Sequence, residues 1–283
     1  MKQVLITGAS TGIGFETTRA LLEDGYRVWA GVRKPEVLER LKQDFGDRLT
    51  ILKLDVTNVD DIEAAFEAVQ DQLKEKSEFI VINNAGIANG GPIEGLAIEE
   101  WRKVFEVNVF AMVEMTQKFL PILRRTKGRV INIGSISGRI ASPFLGPYCA
   151  SKFAVRSFSD SLRREVGYFG VRVSLIEPGP IRTEIWSKSI RRSDQVASTF
   201  TPDVQQAYGK LMESLREGVT KAAEDAAPVE LVTKSILHAV ESRFPRTNYL
   251  VGKNIQLQAT LVQFLPASVM DTLVKAGLRF KKG

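Results

Sequence analysis

Short apolar runs alternate with helical patterns along most of the chain, and this alternation constrains the fold more than any other feature. Runs bounded by turn residues predict seven buried parallel strands, at 3–7, 26–31, 49–55, 78–83, 128–134, 171–177 and 247–251. Helical patterns lie between most of them, at 13–24, 36–45, 59–76, 100–124, 148–168 and 228–243. Each crossover has room for a helix and should be right-handed. The sequence therefore predicts an α/β fold with a doubly wound, seven-stranded parallel sheet.

The domain organisation follows from the lack of a Pro, Ser or Gly-rich linker, which favours a single domain over residues 1–283. Residues 184–225 form a long insertion after the sixth strand, polar at first and then helical in pattern. Long excursions at this edge of such sheets are often lids, so we predict a helical substrate lid. Residues 255–283 form a C-terminal extension. Packing on its own domain is favoured, and contact with a membrane surface or another subunit stays open.

Composition excludes several function classes. No apolar run reaches the roughly 18 residues that a membrane-spanning helix needs. The net charge of +6 is scattered, which argues against a nucleic-acid groove. The single cysteine, Cys149, permits no internal disulfide, and the chain opens on a strand rather than a secretory signal, so a cytoplasmic location is expected. Cys149 should be an inert small hydrophobe, and the sole histidine, His238, has no metal-ligand neighbours in sequence, so no metal is expected.

A glycine-rich turn joins the first strand to the first helix, in the order Thr7-Gly8-x3-Gly12-x-Gly14. Glycines let the backbone turn sharply and approach a diphosphate, whose charge the helix amino terminus can hold. The spacing differs from the common Gly-x-Gly-x-x-Gly fingerprint, so a tight turn without a ligand stays an alternative. This turn predicts a dinucleotide site.

The end of the second strand indicates which dinucleotide is bound. Enzymes selective for NAD usually place an acid there for the adenine ribose. Here Arg33 and Lys34 follow the strand, and both can hold a 2′-phosphate. The sequence therefore favours NADP, with NAD possible and with two merely solvated cations as the alternative.

Pro147 is typical of the first position of a helix, and Tyr148 and Lys152 follow it four residues apart. At this spacing their side chains lie on one face of the helix. An adjacent ammonium is expected to lower the pKa of the phenol and to make it a better general acid/base. Ser135 ends the fifth strand, where its hydroxyl can bind a substrate carbonyl. Asn108 lies within an apolar helical run, and its buried amide needs a partner, either a neighbouring backbone carbonyl or a water relay.

Two further motifs complete the series. Asn83-Asn84-Ala85-Gly86 lies between the glycine turn and Asn108, and Pro178-Gly179 follows Lys152. With these motifs in this order, the chain resembles the short-chain dehydrogenase/reductase family over at least residues 1–185. The resemblance implies a Rossmann-type fold and an NAD(P)-dependent hydride transfer between an alcohol and its ketone or aldehyde. The implied catalytic residues are Asn108, Ser135, Tyr148 and Lys152. The implied cofactor-binding residues are Gly8, Ser10, Thr11, Gly12, Ile13, Gly14, Arg33, Lys34, Asp55, Val56, Asn83, Ala85, Gly86, Tyr148, Lys152, Pro178, Gly179, Ile181 and Thr183.

Within that family the segments around Ser135, Tyr148 and Tyr249 resemble the branch containing hydroxysteroid and retinol dehydrogenases, whose substrates are bulky and apolar. The implied substrate-binding residues are Ser135, Ile136, Pro143, Phe144, Leu145, Tyr148, Ile185 and Trp186. Resemblance also implies a homo-oligomer joined through helices 100–124 and 148–168. An alternative from another class is a catalytically quiet module that senses the dinucleotide or binds a partner on the same fold.

Overall fold

The computed structural model describes residues 2–73 and 77–277, except for the side chains of 185–188, 221, 222 and 277. In these residues seven strands form one parallel sheet of order β3-β2-β1-β4-β5-β6-β7. The strands are β1 Gln3–Thr7, β2 Arg27–Val32, β3 Leu49–Lys53, β4 Phe79–Asn83, β5 Arg129–Ile133, β6 Arg172–Pro178 and β7 Asn248–Val251. The prediction of a doubly wound, Rossmann-type parallel sheet is confirmed. The strands are continuous apolar runs because helices cover both faces of the sheet, so that side chains on either face are buried.

The helices cover the two faces of the sheet. They are α1 Gly12–Glu23, α2 Glu39–Phe45, α3 Val59–Gln72, α4 Ile98–Phe105, α5 Ala111–Thr126, α6 Gly146–Val166, α7 Ile185–Ala197, α8 Pro202–Glu224, α9 Glu230–Glu241, α10 Ile255–Phe264 and α11 Ala267–Gly277. One core cluster joins α1, α2 and α9 to the sheet, and a second joins α3, α5 and α6 to its opposite face. No helix in the described ranges has both the length and the apolar content that crossing a membrane requires.

The strand order reverses beside β1, which pairs with β2 on one side and β4 on the other. Crossovers leave β1 and β4 in opposite directions at this point, so a crevice opens at the carboxyl ends of the strands. The turn after β1 and the segment after β4 both lie at this crevice. The topology therefore brings together two motifs that are more than seventy residues apart in sequence.

Three predicted helices differ in detail. The predicted helix 36–45 begins with a 3₁₀ turn, Pro35–Leu38, before α2. The predicted helix 59–76 ends at Gln72, and its residues 74–76 lie outside the described residues. The predicted helix 100–124 is divided into α4 and α5 by a π-helical turn, Glu106–Phe110, which contains Asn108. An extra residue in the turn redirects the chain at the site, and π turns often mark such positions.

The insertion 184–225 forms α7 and α8, which pack beside α4. Val196 of α7 and Phe200, which follows that helix, form a small core with Val204 of α8 and with Leu96. The Arg192 guanidinium of α7 binds the carboxylate of Glu100 on α4. These contacts hold the two helices over the carboxyl edge of the sheet.

The C-terminal extension packs on the fold through one side of α10. Ile255 and Ala259 are buried, and α10 contacts β7, whereas Leu257, Leu261 and Phe264 are exposed. Residues 278–283 of this extension lie outside the described residues.

Candidate active site

The glycine turn after β1 is shaped by close contacts that no side chain would fit. Gly8 and Gly12 have positive φ angles of 66° and 56°, which glycine adopts most readily. A Cβ on Gly14 would lie 2.2 Å from the Gly8 carbonyl oxygen. Ser10, Thr11 and Ile13 complete the turn and the start of α1 and are only half-buried. The turn thus presents backbone N–H groups at a helix amino terminus, which fits a dinucleotide diphosphate.

The segment after β4 is fastened to this turn by hydrogen bonds. The Thr7 hydroxyl accepts from the backbone N–H groups of Asn84 and Ala85, both at 3.0 Å. The Asn84 side-chain amide donates to the carbonyls of Thr7 at 2.9 Å and Gly8 at 3.0 Å. Asn83 faces the other way and donates to Asn132 at 2.9 Å and Thr116 at 3.1 Å. Asn84 belongs to the motif Asn83-Asn84-Ala85-Gly86, but its bonding partners could not be predicted because they are distant in sequence.

Arg33 and Lys34 follow β2 with exposed side chains at the edge of the same crevice. The turn is joined to β2 here, since the Ala9 N–H donates to the Gly31 carbonyl at 3.1 Å. Asp55 and Val56 follow β3 in the next position along the sheet. The Asp55 carboxylate accepts from the Thr57 N–H at 3.0 Å and the Thr57 hydroxyl at 2.8 Å, while Val56 is buried.

The end of β6 faces the glycine turn from the other side. Pro178 ends the strand, and the Gly179 N–H donates to the Val251 carbonyl at 2.9 Å. Ile181 is buried and pairs with Ala227. A Cβ on Gly12 would lie 3.2 Å from the Thr183 Cβ, so Thr183 approaches the glycine turn directly. The structure therefore brings the predicted cofactor residues that follow β1, β4 and β6 to one edge, whereas Asn83 is bonded to Asn132 and Thr116 away from it.

Ser135, Tyr148 and Lys152 meet at this edge. Ser135 follows β5, its hydroxyl accepts from the Ser137 N–H at 3.1 Å, and its side chain lies close enough to that of Tyr148 to affect the pKa of the phenol. Lys152 lies one turn along α6, with its Nζ 5.8 Å from the centroid of the Tyr148 ring. The same Nζ donates to the Ile133 carbonyl at 2.9 Å. Gly86 borders this cluster, because a Cβ there would lie 3.8 Å from the Lys152 Nζ.

The pKa of the Tyr148 hydroxyl is shifted in the direction opposite to the sequence prediction. Burial raises this pKa, and the hydrogen bond to Ser135 acts against the rise. Burial also lowers the pKa of Lys152 to about 8. The prediction was wrong because it counted the nearby ammonium of Lys152 and left out the burial of the phenol. In the structure the Lys152 Nζ lies over the ring and is itself desolvated.

Asn108 lies fully buried in the π-helical turn, and both ends of its amide have partners. Its Oδ1 accepts from the Ile87 N–H at 2.8 Å, and its Nδ2 donates to the Ile87 carbonyl at 2.9 Å and the Ser151 hydroxyl at 3.0 Å. The side-chain amide of Asn108 is therefore satisfied by the backbone groups of Ile87 and by the Ser151 hydroxyl. It couples the segment after β4 to the helix that carries Tyr148.

A cavity of about 640 Å³ lies beside the Tyr148 end of α6. Of the predicted substrate residues, Phe144 and Leu145 line it. Ser135, Ile136, Pro143 and Tyr148 are not part of its lining. Ile136 starts the 3₁₀ turn Ile136–Gly138, and Pro143 is exposed because Phe144, at φ 64°, turns the chain inward only after it. The side chains of Ile185 and Trp186 lie outside the described residues. The lining that the sequence prediction missed comprises Gly90, Gly91, Ser189, Ile190, Ser193, Asp194, Ala197, Gly209, Met212, Glu213, Leu215, Arg216 and Val219.

The surroundings of Cys149 and His238 indicate structural roles for both side chains. Burial raises the pKa of the Cys149 thiol, which keeps it protonated and unreactive. The His238 Nδ1 is hydrogen-bonded to the Tyr249 hydroxyl at 2.8 Å. In the ranges that the structure describes, no group of three or more His, Cys, Asp or Glu side chains is arranged to hold a metal ion.

The glycine turn at the switch point, with a Ser, a Tyr and a Lys at the same edge, defines a dinucleotide-dependent oxidoreductase. A family model described as short chain dehydrogenase matches residues 2–194. The chain belongs to the short-chain dehydrogenase family, whose members interconvert alcohols and ketones with NAD(P), and it is an oxidoreductase of that kind.

Three proteins of known activity or structure are similar to this chain. Human retinol dehydrogenase 16 is 34% identical over 281 residues, covering 96% of this chain and 87% of its own. An NADPH-dependent 3-dehydrocapnine reductase from Ornithobacterium rhinotracheale is 34% identical over 284 residues, covering 99% and 98%. The structure of a short chain dehydrogenase from Burkholderia cenocepacia in complex with NADP is 28% identical, with a TM-score of 0.71 and 99% coverage of both chains. The predicted resemblance to the hydroxysteroid and retinol dehydrogenase branch is confirmed.

Proposed function

We propose that this oxidoreductase prefers NADP, acts on an apolar carbonyl or alcohol, and uses Ser135, Tyr148 and Lys152 as its catalytic residues with Asn108 as their support. The observation that carries the proposal is that Ser135, Tyr148 and Lys152 meet beside the glycine turn at one edge of the sheet, with the Lys152 Nζ over the phenol ring. The fit of the turn to a diphosphate supports the same arrangement.

Each residue has a separate chemical role in the proposed reduction. The nicotinamide, when bound, supplies the hydride, and it takes the hydride back in the reverse reaction. The Ser135 hydroxyl donates a hydrogen bond to the substrate oxygen and polarises the carbonyl. The Tyr148 hydroxyl gives its proton to that oxygen as negative charge develops there. Lys152 holds a cation within the buried cluster, which favours the phenolate once the proton has left. Asn108 holds the π-helical turn against Ile87, so that α5 and α6 keep their positions.

The preference for NADP rests on Arg33 and Lys34. Both are exposed at the crevice edge after β2, and the guanidinium of Arg33 can bind a 2′-phosphate with paired, charge-assisted hydrogen bonds. The relative that is described as NADPH-dependent and the NADP complex of a similar enzyme support the same preference.

An apolar substrate is proposed because of the cavity. Its volume of about 640 Å³ lies within the usual range for small-molecule sites, and Ile190, Met212, Leu215 and Val219 contribute apolar lining. We further propose that residues 184–225 act as the lid of a single domain, since α7 and α8 form one wall of this cavity. The Asp194–Arg216 ion pair at 2.9 Å joins the two helices at that wall.

A homo-oligomer is proposed on the outer faces of α5 and α6. Phe153 on α6 and Phe110, next to α5, are 43% and 52% exposed, and large exposed apolar side chains of this kind are common in interfaces. The buried free thiol of Cys149 is compatible with the cytoplasmic location expected from the sequence.

A cofactor oxidation screen tests the proposal. NADPH and NADH are offered with a panel of ketones, aldehydes, steroids and retinoids, and the absorbance of the reduced nicotinamide is followed. We expect turnover with NADPH, and we expect Tyr148→Phe to lose it while NADPH still binds with nearly the wild-type Kd. A Tyr148→Phe variant that keeps most of its activity would refute the catalytic assignment. Binding of NADPH without turnover of any carbonyl would favour the dinucleotide-sensing module instead.

A further inference from the structure

A buried carboxylate lies between the elements that carry the catalytic residues and takes no part in the proposed chemistry. Glu177 is the penultimate residue of β6, directly before Pro178, and its side chain is 1% exposed. The Arg139 guanidinium binds it with two hydrogen bonds, from Nε at 2.7 Å and from Nη2 at 2.6 Å. Arg156 of α6 lies 4.0 Å from the same carboxylate. Such an ion pair is costly to bury, and it is retained only where its geometry is good.

The three charged residues come from the three elements that form the site. Arg139 directly follows the 3₁₀ turn that begins after Ser135, and its N–H donates to the Ile136 carbonyl at 2.9 Å. Arg156 lies one helical turn beyond Lys152 on α6. Glu177 belongs to the strand whose end borders the cofactor crevice. The Arg139–Glu177 pair therefore ties the Ser135 turn to the end of β6, with α6 in contact with both.

The backbone pairs here, since the Gly134 N–H donates to the Ile176 carbonyl at 2.7 Å, but among the described residues Ser135 itself has little side-chain contact with the end of β6. The Ser135 hydroxyl lies 3.5 Å from the Pro178 carbonyl, which is a weak contact compared with the two short bonds of Arg139. The turn also packs closely on α6, since a Cβ on Gly138 would lie 2.6 Å from the Lys152 carbonyl oxygen. A shift of the turn would move Ser135 relative to both Tyr148 and the crevice.

We infer that Glu177 and Arg139 are positioning residues, which hold the Ser135 hydroxyl in register with Tyr148 and with the cofactor crevice through their bidentate ion pair. This inference rests on the proposed catalytic role of Ser135. A planar guanidinium is needed because its two N–H groups fix direction as well as distance, whereas a lysine ammonium supplies a point charge. Loss of the two parallel hydrogen bonds between Arg139 and Glu177 should therefore impair turnover more than cofactor binding.

The chain supplies a matched control at the opposite edge of the same sheet. Arg129, at the start of β5, binds the Glu78 carboxylate at 2.6 Å and is 4% exposed. It also donates to the carbonyls of Ala239 and Ser242, both at 2.7 Å. Arg129 is buried and Glu78 is partly exposed, and the pair lies at the opposite end of β5 from Ser135. Arg129→Lys should lower stability without altering turnover of the folded enzyme.

The test compares Arg139→Lys, Arg139→Met and Glu177→Gln with Arg129→Lys and the wild type. The probes are NADPH and the carbonyl from the screen that the wild type reduces fastest. We expect kcat to fall about 10- to 100-fold in the Arg139 and Glu177 variants, because small displacements of catalytic groups have effects of this size. The Kd of NADPH should stay within about twofold, and Arg139→Lys should be the mildest of the three.

A deuterium isotope effect, measured with NADPH carrying deuterium at the transferred position, separates positioning from stability. It should increase in the Arg139 and Glu177 variants, because a misplaced Ser135 slows the hydride step, and it should not change in Arg129→Lys. If Glu177→Gln does not fold, Arg139→Lys decides the matter, since it keeps a cation beside the carboxylate. A kcat and an isotope effect in Arg139→Lys and Arg139→Met that match Arg129→Lys would overturn the inference. That result would leave the proposed function intact, which loss of activity in Tyr148→Phe tests separately.

Discussion

Replacing Lys152 by Met should reveal how much stability the protein loses by burying this ammonium. Burial lowers the pKa of Lys152 from 10.5 to about 8 in the folded protein. The difference corresponds to about 3 kcal/mol of cost for the charged form in the folded state, when every pKa unit is about 1.4 kcal/mol. Methionine has a similar length and carries no charge, so it removes this cost.

The difference in the free energy of unfolding between the wild type and the Met variant should change with pH in a defined direction. The unfolded chain binds more protons than the folded one between about pH 8 and 10.5, so the wild type gains stability as the pH rises through this window. Below about pH 8 the full cost remains, and above 10.5 it is gone. From about pH 7 to about pH 9.5 the wild type should gain about 2 kcal/mol relative to the Met variant.

The assay is urea unfolding at several pH values, with both proteins in a Tyr148→Phe background so that this phenol does not titrate. The Met variant also leaves the Ile133 carbonyl without its donor, which costs about 1–3 kcal/mol. That loss does not depend on pH. It therefore changes the free energy of unfolding of the Met variant by the same amount at every pH, and it does not affect how the difference between the two proteins varies with pH. A stability difference that stays constant across the window, or that changes in the opposite sense, would refute the buried-ammonium reasoning.

Two further predictions concern the cofactor crevice. Gly14→Ala places a Cβ 2.2 Å from the Gly8 carbonyl oxygen and so must distort the glycine turn; NADPH binding, followed by its fluorescence, should be lost, and an unchanged Kd would contradict the close packing of this turn. Arg33→Ala should weaken NADPH binding by about tenfold or more, the size of one charge-assisted contact, while the Kd of NADH changes little. Equal effects on the two cofactors would show that Arg33 does not bind the 2′-phosphate.

The strands and most of the helices could be predicted because their signal is local. A continuous apolar run such as β4 Phe79–Asn83 marks a strand covered on both faces, wherever its neighbours are. The interruption of the predicted helix 100–124 could not be predicted, because the π-helical turn depends on the bonds between Asn108 and Ile87 across the site. The sequence predicted a substrate lid at residues 184–225 but not which of its side chains line the cavity, because the amphipathic pattern of α7 and α8 does not identify their neighbours.

The amino-acid sequence by itself determined the element order, the glycine turn, and the presence of Ser135, Tyr148 and Lys152 at strand and helix ends, since these depend on residue type and spacing. Only the tertiary structure decided the pKa shifts of Tyr148 and Lys152 and the pairing of Arg139 with Glu177. The physical reason is that desolvation and charge pairing depend on which atoms exclude water around a group. Those atoms come from segments far apart along the chain.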